Sequence, residues 1–268
     1  MLINHWHVMP RGTFNKENPE LGTLEHLTKI MNELGIDKAV LFAPFTFQIP
    51  EGWHCCNQWL HKLIQGKQRF FGFITVDPLD ANSIPILEEF AAKGFVGIKF
   101  HPPVVKARID DPKIEPFYAK AEKLNLPIVF HTGVHGWRLN YYRPMLLDKV
   151  AQDHPQLKII VEHMGEFEFF REALAVVRNN PNCYAGITSI LHKGESAGWQ
   201  ASNELTRLLL KDRDWAVSPQ RIIYGADFPY NGFLEIKRDL EIIHSWNLPR
   251  TDQEGILGEN LEKLFPNR

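Results

Sequence analysis

Two histidines one residue apart, His5 and His7, sit in a short apolar run near the start of the chain. On a β-strand, side chains alternate faces, so both rings point the same way, about 7 Å apart along the strand. Held on one rigid wall, they can converge on a single ion. Other residues of ligand type close later apolar runs: Lys99, His101, His131, His163 and Asp227. Imidazole nitrogens and a carboxylate suit Zn²⁺ or Mn²⁺, and a set without cysteine suits a catalytic rather than a structural ion. Such an ion lowers the pKa of water to about 7 and supplies hydroxide at neutral pH. Asp227 is the candidate base that takes the proton of that water and passes it to the leaving group. His163 is a candidate for orienting the water or steadying developing negative charge. Lys99 is a candidate for the same task as a fixed cation or, if carboxylated, for bridging two ions.

These residues need elements that aim them at one place. Strand-like runs are expected at 2–8, 39–42, 70–76, 96–101, 127–131, 158–163, 183–187 and 221–224. Helical patterns follow each, at 21–34, 53–64, 83–93, 111–124, 144–153, 167–177, 203–215 and 234–246, with short helices in 252–265. Ser83 is a candidate cap for the third helix, and Gly35 a stop for the first. The strands are nearly continuous apolar runs, as expected when both faces are buried, and strict alternation with helices implies parallel strands. The expected fold is α/β, a single-domain (β/α)₈ TIM barrel over 1–268. A doubly wound open sheet is the alternative, but no G-x-G-x-x-G turn follows an early strand. In a barrel the C-terminal strand ends rim one site. Simple alternation places Ile3, His5 and His7 on one face, with Leu2, Trp6 and Val8 opposite. It aligns Gly97, Lys99 and His101 against Val96, Ile98 and Phe100, and Val129 with His131. It also aligns Ile159, Val161 and His163, and Ile223, Gly225 and Asp227.

Composition removes several function classes. With 268 residues, 44% of them hydrophobic, and a formal net charge of -2, the chain has enough for one large core. It lacks the basic footprint expected of a nucleic-acid binder. No apolar run approaches a membrane span. The first strand starts too early to leave room for a signal peptide. Three cysteines, two of them adjacent, form no disulfide framework, so a cytoplasmic location is expected. The expected partner is a small molecule, and a homodimer is left open.

Five segments carry a resemblance: His5-Trp6-His7, Gly97 to Pro102 (GIKFHP), Phe130 to Gly133 (FHTG), Glu162 to Gly165 (EHMG) and Gly225 to Pro229 (GADFP). Together with the ending Ile256 to Phe265 (ILGENLEKLF), they resemble the amidohydrolase superfamily. The nearest branch is amidohydrolase family 2, which includes decarboxylases and lactonases. The resemblance covers essentially the whole chain. It implies a (β/α)₈ barrel with a metal at its mouth, His5, His7, His131 and Asp227 as ligands, and His163 acting on water. Many members carry an acidic residue two positions before the first histidine, where this chain has Ile3. The resemblance favours one ion, most simply Zn²⁺ with Mn²⁺ as the alternative. Two ions, bridged by a carboxylated Lys99, are the other arrangement.

Specificity is expected from the loops after the strands. These are Met9-Pro10-Arg11, Phe45-Thr46-Phe47, the long His135 to Arg143 segment, Ser189 with His192, and Tyr230 with Asn231. Arginines interleaved with aromatics suit a flat, acidic ligand, so Arg11, His101, Trp137, Arg138 and Tyr141 are the substrate-binding candidates. The expected activity is metal-dependent hydrolysis of a small ester, lactone or amide bearing a carboxylate. Non-oxidative decarboxylation on the same ligands is the second reading, and a non-catalytic binding protein the third.

Overall fold

The computed structural model describes residues 1–196, 210 and 217–266, so the helix expected at 203–215 lies outside the described residues. Its strands are β1 (Leu2–His7), β2 (Lys38–Phe42), β3 (Phe70–Thr75), β4 (Gly97–Phe100), β5 (Ile128–His131), β6 (Ile159–Glu162), β7 (Cys183–Gly186), β8 (Ile222–Ile223) and β9 (Gly225–Phe228). All neighbouring pairs are parallel, in the order β8-β7-β6-β5-β4-β3-β2-β1-β9. β8 and β9 are two pieces of the expected eighth strand. Between them the Tyr224 N–H donates to the Ile256 carbonyl of the C-terminal segment rather than to β7. One piece pairs with β7 and the other with β1, which rounds the sheet into a TIM barrel.

The helices form where periodicity and caps require. The first, Leu24–Leu34, buries Leu24, Leu27, Ile30 and Met31 on one stripe. Thr23 caps it by accepting from the His26 N–H at 3.3 Å, and Gly35 ends it at φ 66. The helix at Ser83–Ala92 starts one residue earlier than a Ser83 cap requires. Asn82 is its N-cap, and the Ser83 hydroxyl donates to the Pro78 carbonyl. Short helices at Pro102–Val105 and Leu191–Ser196 lie in linking segments where no helix was expected.

The core has two layers. An inner cluster of Leu2, Val40, Phe42, Phe73, Val96, Val129, Ile160, Ile223, Leu261 and Leu264 fills the barrel, and the outer cluster lies between sheet and helices. Gly97 faces inward because a Cβ there would lie 2.4 Å from the Phe73 ring. Leu261 and Leu264 come from the C-terminal tail, which crosses the base of the barrel.

Two strands depart from simple alternation, and both carry site residues. Ile3 pairs with Ala39 but Trp6 with Leu41, so β1 holds one extra residue, and His5 in that bulge has φ 64. The bulge puts Leu2 in the inner cluster and Ile3, Trp6 and Val8 in the outer one, which reverses the expected faces of Leu2 and Ile3. β9 has the complementary irregularity: Asn4 pairs with Gly225 and Trp6 with Phe228, and Asp227 has φ 59. On β6 the inward residues are Ile160 and Glu162, while Ile159 and Val161 join the outer layer. His163 reaches the mouth from just past the strand, at φ 60. Val96 also joins the inner cluster, before β4 begins.

Candidate metal centre and active site

His5, His7 and Asp227 each present a ligand atom, and the three atoms lie within 4.8 Å of one another. His5 Nε2 is 3.1 Å from His7 Nε2 and 3.3 Å from Asp227 Oδ1. The other His5 nitrogen, Nδ1, lies 2.9 Å from Glu162 Oε2. Glu162 is fully buried, its Oε1 accepts from the Thr188 hydroxyl, and its Oε2 accepts from Asn4 Nδ2 at 3.3 Å. The approach is close but not aligned as a hydrogen bond; the charge of Glu162 still favours a proton on Nδ1 and leaves the Nε2 lone pair facing His7 and Asp227, the orientation a metal ligand needs. Alternation on β6 had hidden Glu162. The signal that could have found it is an acidic residue in an otherwise apolar buried strand.

Asp227 is held by a short chain of donors. The Ser189 hydroxyl donates to its Oδ2 at 2.7 Å, and Asn231 Nδ2 donates to Ser189 Oγ and to the Ala226 carbonyl, both at 2.9 Å. Burial raises the Asp227 pKa, with the Ser189 bond and the Lys99 charge opposing. Burial, reinforced by nearby positive charge, pushes His5, His7, His101 and His131 well below the usual histidine range. His163 is pushed down to about 4, mainly by burial, and its Nδ1 lies 3.1 Å from the Thr188 carbonyl. All five rings are therefore neutral at pH 7, the form that ligates a cation.

The remaining candidates separate into two groups. A cavity of about 210 Å³ opens over this cluster, lined by His5, His7, His101, His131, His163 and Asp227 from the expected set. His131 lies just outside the three-residue cluster, its ring stacked on His101 at 4.0 Å and 4.9 Å from that of His163. Its Nε2 is buried without a hydrogen-bond partner, as is His101 Nδ1. Lys99 does not line the cavity. It is fully buried, its Nζ lies 5.1 Å over the Phe42 ring, and burial lowers its pKa to about 8 against the pull of Glu162 and Asp227.

The structure does not bring Arg11, Trp137, Arg138 or Tyr141 to the cavity wall. Arg11 is ion-paired with Glu20. Arg138 lies over the Tyr141 ring and donates to its hydroxyl, and Trp137 packs on Tyr141 and Tyr142. The long loop instead contributes His135, while Phe45, Phe47 and Tyr230 come from loops expected to carry specificity. Val104, Glu166 and Lys193 complete the wall, and nothing in the local sequence pattern had marked them.

A parallel barrel whose first and last strands aim imidazoles and a carboxylate into one cavity at its mouth defines an enzyme of the TIM-barrel class. The chain belongs to the amidohydrolase family: the family model described as Amidohydrolase (Amidohydro_2) matches residues 15–266, beginning just after β1. A curated relative, 4-sulfomuconolactone hydrolase from Hydrogenophaga intermedia, is 24% identical over 97% of this chain and 87% of its own length. A solved dihydroxybenzoic acid decarboxylase from Polaromonas, with bound manganese and 2-nitroresorcinol, superposes with a TM-score of 0.72 at 16% identity, covering 98% of this chain and 96% of that one. A probable 2-pyrone-4,6-dicarboxylic acid hydrolase from Acinetobacter baumannii superposes at 0.67 with 17% identity and 98% coverage of each chain. A divalent ion is expected for the family, and the neutral imidazoles, Asp227 and the unpartnered His131 Nε2 fit one.

Proposed function

We propose that this enzyme hydrolyses a small ester, lactone or amide bearing a carboxylate. One divalent ion, Zn²⁺ or Mn²⁺, would be held by His5, His7 and Asp227, with His131 completing the set. The observation that carries this reading is the convergence of two neutral imidazoles and a buried carboxylate within 4.8 Å, above a cavity of about 210 Å³. When bound, the ion supplies Lewis acidity and makes water more acidic. The residues supply the rest. Asp227 takes the proton of the attacking water through Oδ1, while Ser189 fixes Oδ2. His163, neutral and with its Nδ1–H turned to the Thr188 carbonyl, keeps a lone pair on Nε2 and orients the attacking water by accepting a hydrogen bond from it. Lys99, below the cavity, adds positive potential without touching the substrate. The curated lactone hydrolase relative supports hydrolysis. Three free cysteines, two of them buried, support a reducing, cytoplasmic setting.

The manganese-bound decarboxylase neighbour favours a second reading, in which Asp227 delivers its proton to a ring carbon as CO₂ leaves. Product analysis separates the two, because hydrolysis adds water and decarboxylation releases CO₂. The test is a lactone and carboxylated-aromatic panel with the metal-loaded protein. Elemental mass spectrometry is expected to find one ion per chain, and Asp227→Asn to lower turnover roughly 10²- to 10⁴-fold. Unchanged turnover in that variant removes the mechanism.

A further inference from the structure

Glu166 occupies backbone that glycine favours. Its φ is 53 and its ψ -154, and it ends a run of left-handed residues with His163, Met164 and Gly165. The side chain is held as deliberately as the backbone. Glu166 Oε2 accepts from the Val134 N–H at 3.1 Å, and a Cβ on Gly133 would lie 2.7 Å from Glu166 Cγ. The loop after β5 therefore closes on this side chain through a glycine at φ 116, and Glu166 lines the cavity. Lys193 lines the same cavity, and its charge acts on Glu166, His163 and Asp227. Among the described residues no ion pair joins Lys193 to Glu166. Among the described residues, Lys193 is the cation and Glu166 the acid besides Asp227 that line this space, and no arginine does.

We propose that Glu166 is a specificity-determining residue: it receives a hydroxyl or amine of a substrate whose single carboxylate faces Lys193, and it repels a second anionic group. The assignment rests on the small-carboxylate reading above and narrows it to monoanions carrying a hydrogen-bond donor. Burial raises the Glu166 pKa, with the Val134 bond opposing, so the discrimination is read at mildly alkaline pH, the side that favours the carboxylate. A carboxylate facing a carboxylate in a small cavity is costly, whereas a hydroxyl facing it is a charge-assisted hydrogen bond.

The test is calorimetric binding of two probes that differ in one group, 3-hydroxybenzoate and isophthalate, to the metal-loaded protein at mildly alkaline pH. The wild type is expected to prefer 3-hydroxybenzoate by roughly tenfold or more. Glu166→Gln keeps the size and the acceptor for Val134, and is expected to bring the two affinities within about twofold. Lys193→Met, at an exposed position, is expected to weaken both probes alike and keep their ratio. A ratio unchanged in Glu166→Gln, or a wild type that prefers isophthalate, overturns the proposal. Turnover lost in Asp227→Asn alongside an unchanged ratio would overturn the role of Glu166 and leave the hydrolase standing. A wild type that binds neither probe overturns both this assignment and the carboxylate reading it rests on.

Discussion

Glu162 shows how a residue that never meets substrate can govern the centre. It is fully buried, 2.9 Å from His5 Nδ1, and its two oxygens also receive Thr188 and Asn4. Replacing it with glutamine keeps the volume but removes the charge that holds the Nδ1 proton. Partners behind a ligand commonly change metal affinity 10- to 100-fold, so Glu162→Gln is expected to weaken binding by about that factor in a competitive chelator titration. Affinity equal to wild type would mean that His5 keeps its tautomer without help. Much of the cavity's lining was legible from residue types: His5, His7, His101, His131, His163 and Asp227 line one cavity. Glu162 was not, because period-two alternation carried inward from His163 puts its neighbour on the wrong face. A residue at φ 60 breaks that count, and no pattern of apolar and polar residues reports a left-handed backbone.

At the level of elements, the strands and most helices follow from hydrophobic periodicity, since buried parallel strands and amphipathic helices leave different spacings. What periodicity misses is the fitting of one element against another. Gly97 on β4 is such a fit, since the Phe73 ring on β3 fills the space a side chain would take. Gly97→Ala adds one methyl where the gap is 2.4 Å and is expected to destabilise by about 1–3 kcal/mol, seen as a lower urea midpoint with an unchanged slope. An unchanged midpoint would show that Phe73 can turn aside. The loops were the least legible. Arg11 and Arg138 have the composition of an acid-binding site, yet they pair with Glu20 and Tyr141, partners that only the folded loops bring within reach.

For the molecule as a whole, the base of the barrel is as much a part of the design as its mouth. Leu261 is fully buried and joins the inner cluster with Leu2 from the start of β1, at the opposite end of that strand from His7. Leu261→Ala is expected to cost about 2–5 kcal/mol in thermal or urea unfolding. Metal stoichiometry under native conditions should stay unchanged. A loss of metal without a loss of stability would mean that the base is coupled to the site more tightly than packing alone provides.

β1 carries two of the candidate metal-ligand histidines, yet one of its neighbours is β9 and the plug beneath it is the segment with Leu261 and Leu264. On a ribosome the first strand emerges long before either arrives. Until both have been made, His5 and His7 sit on a strand with one edge unpaired and no floor, so the cluster cannot form gradually. A polypeptide that stops before Asn260–Glu262 should therefore carry both candidate ligands, His5 and His7, on a strand without its floor, and the cluster with Asp227 should not be held in place.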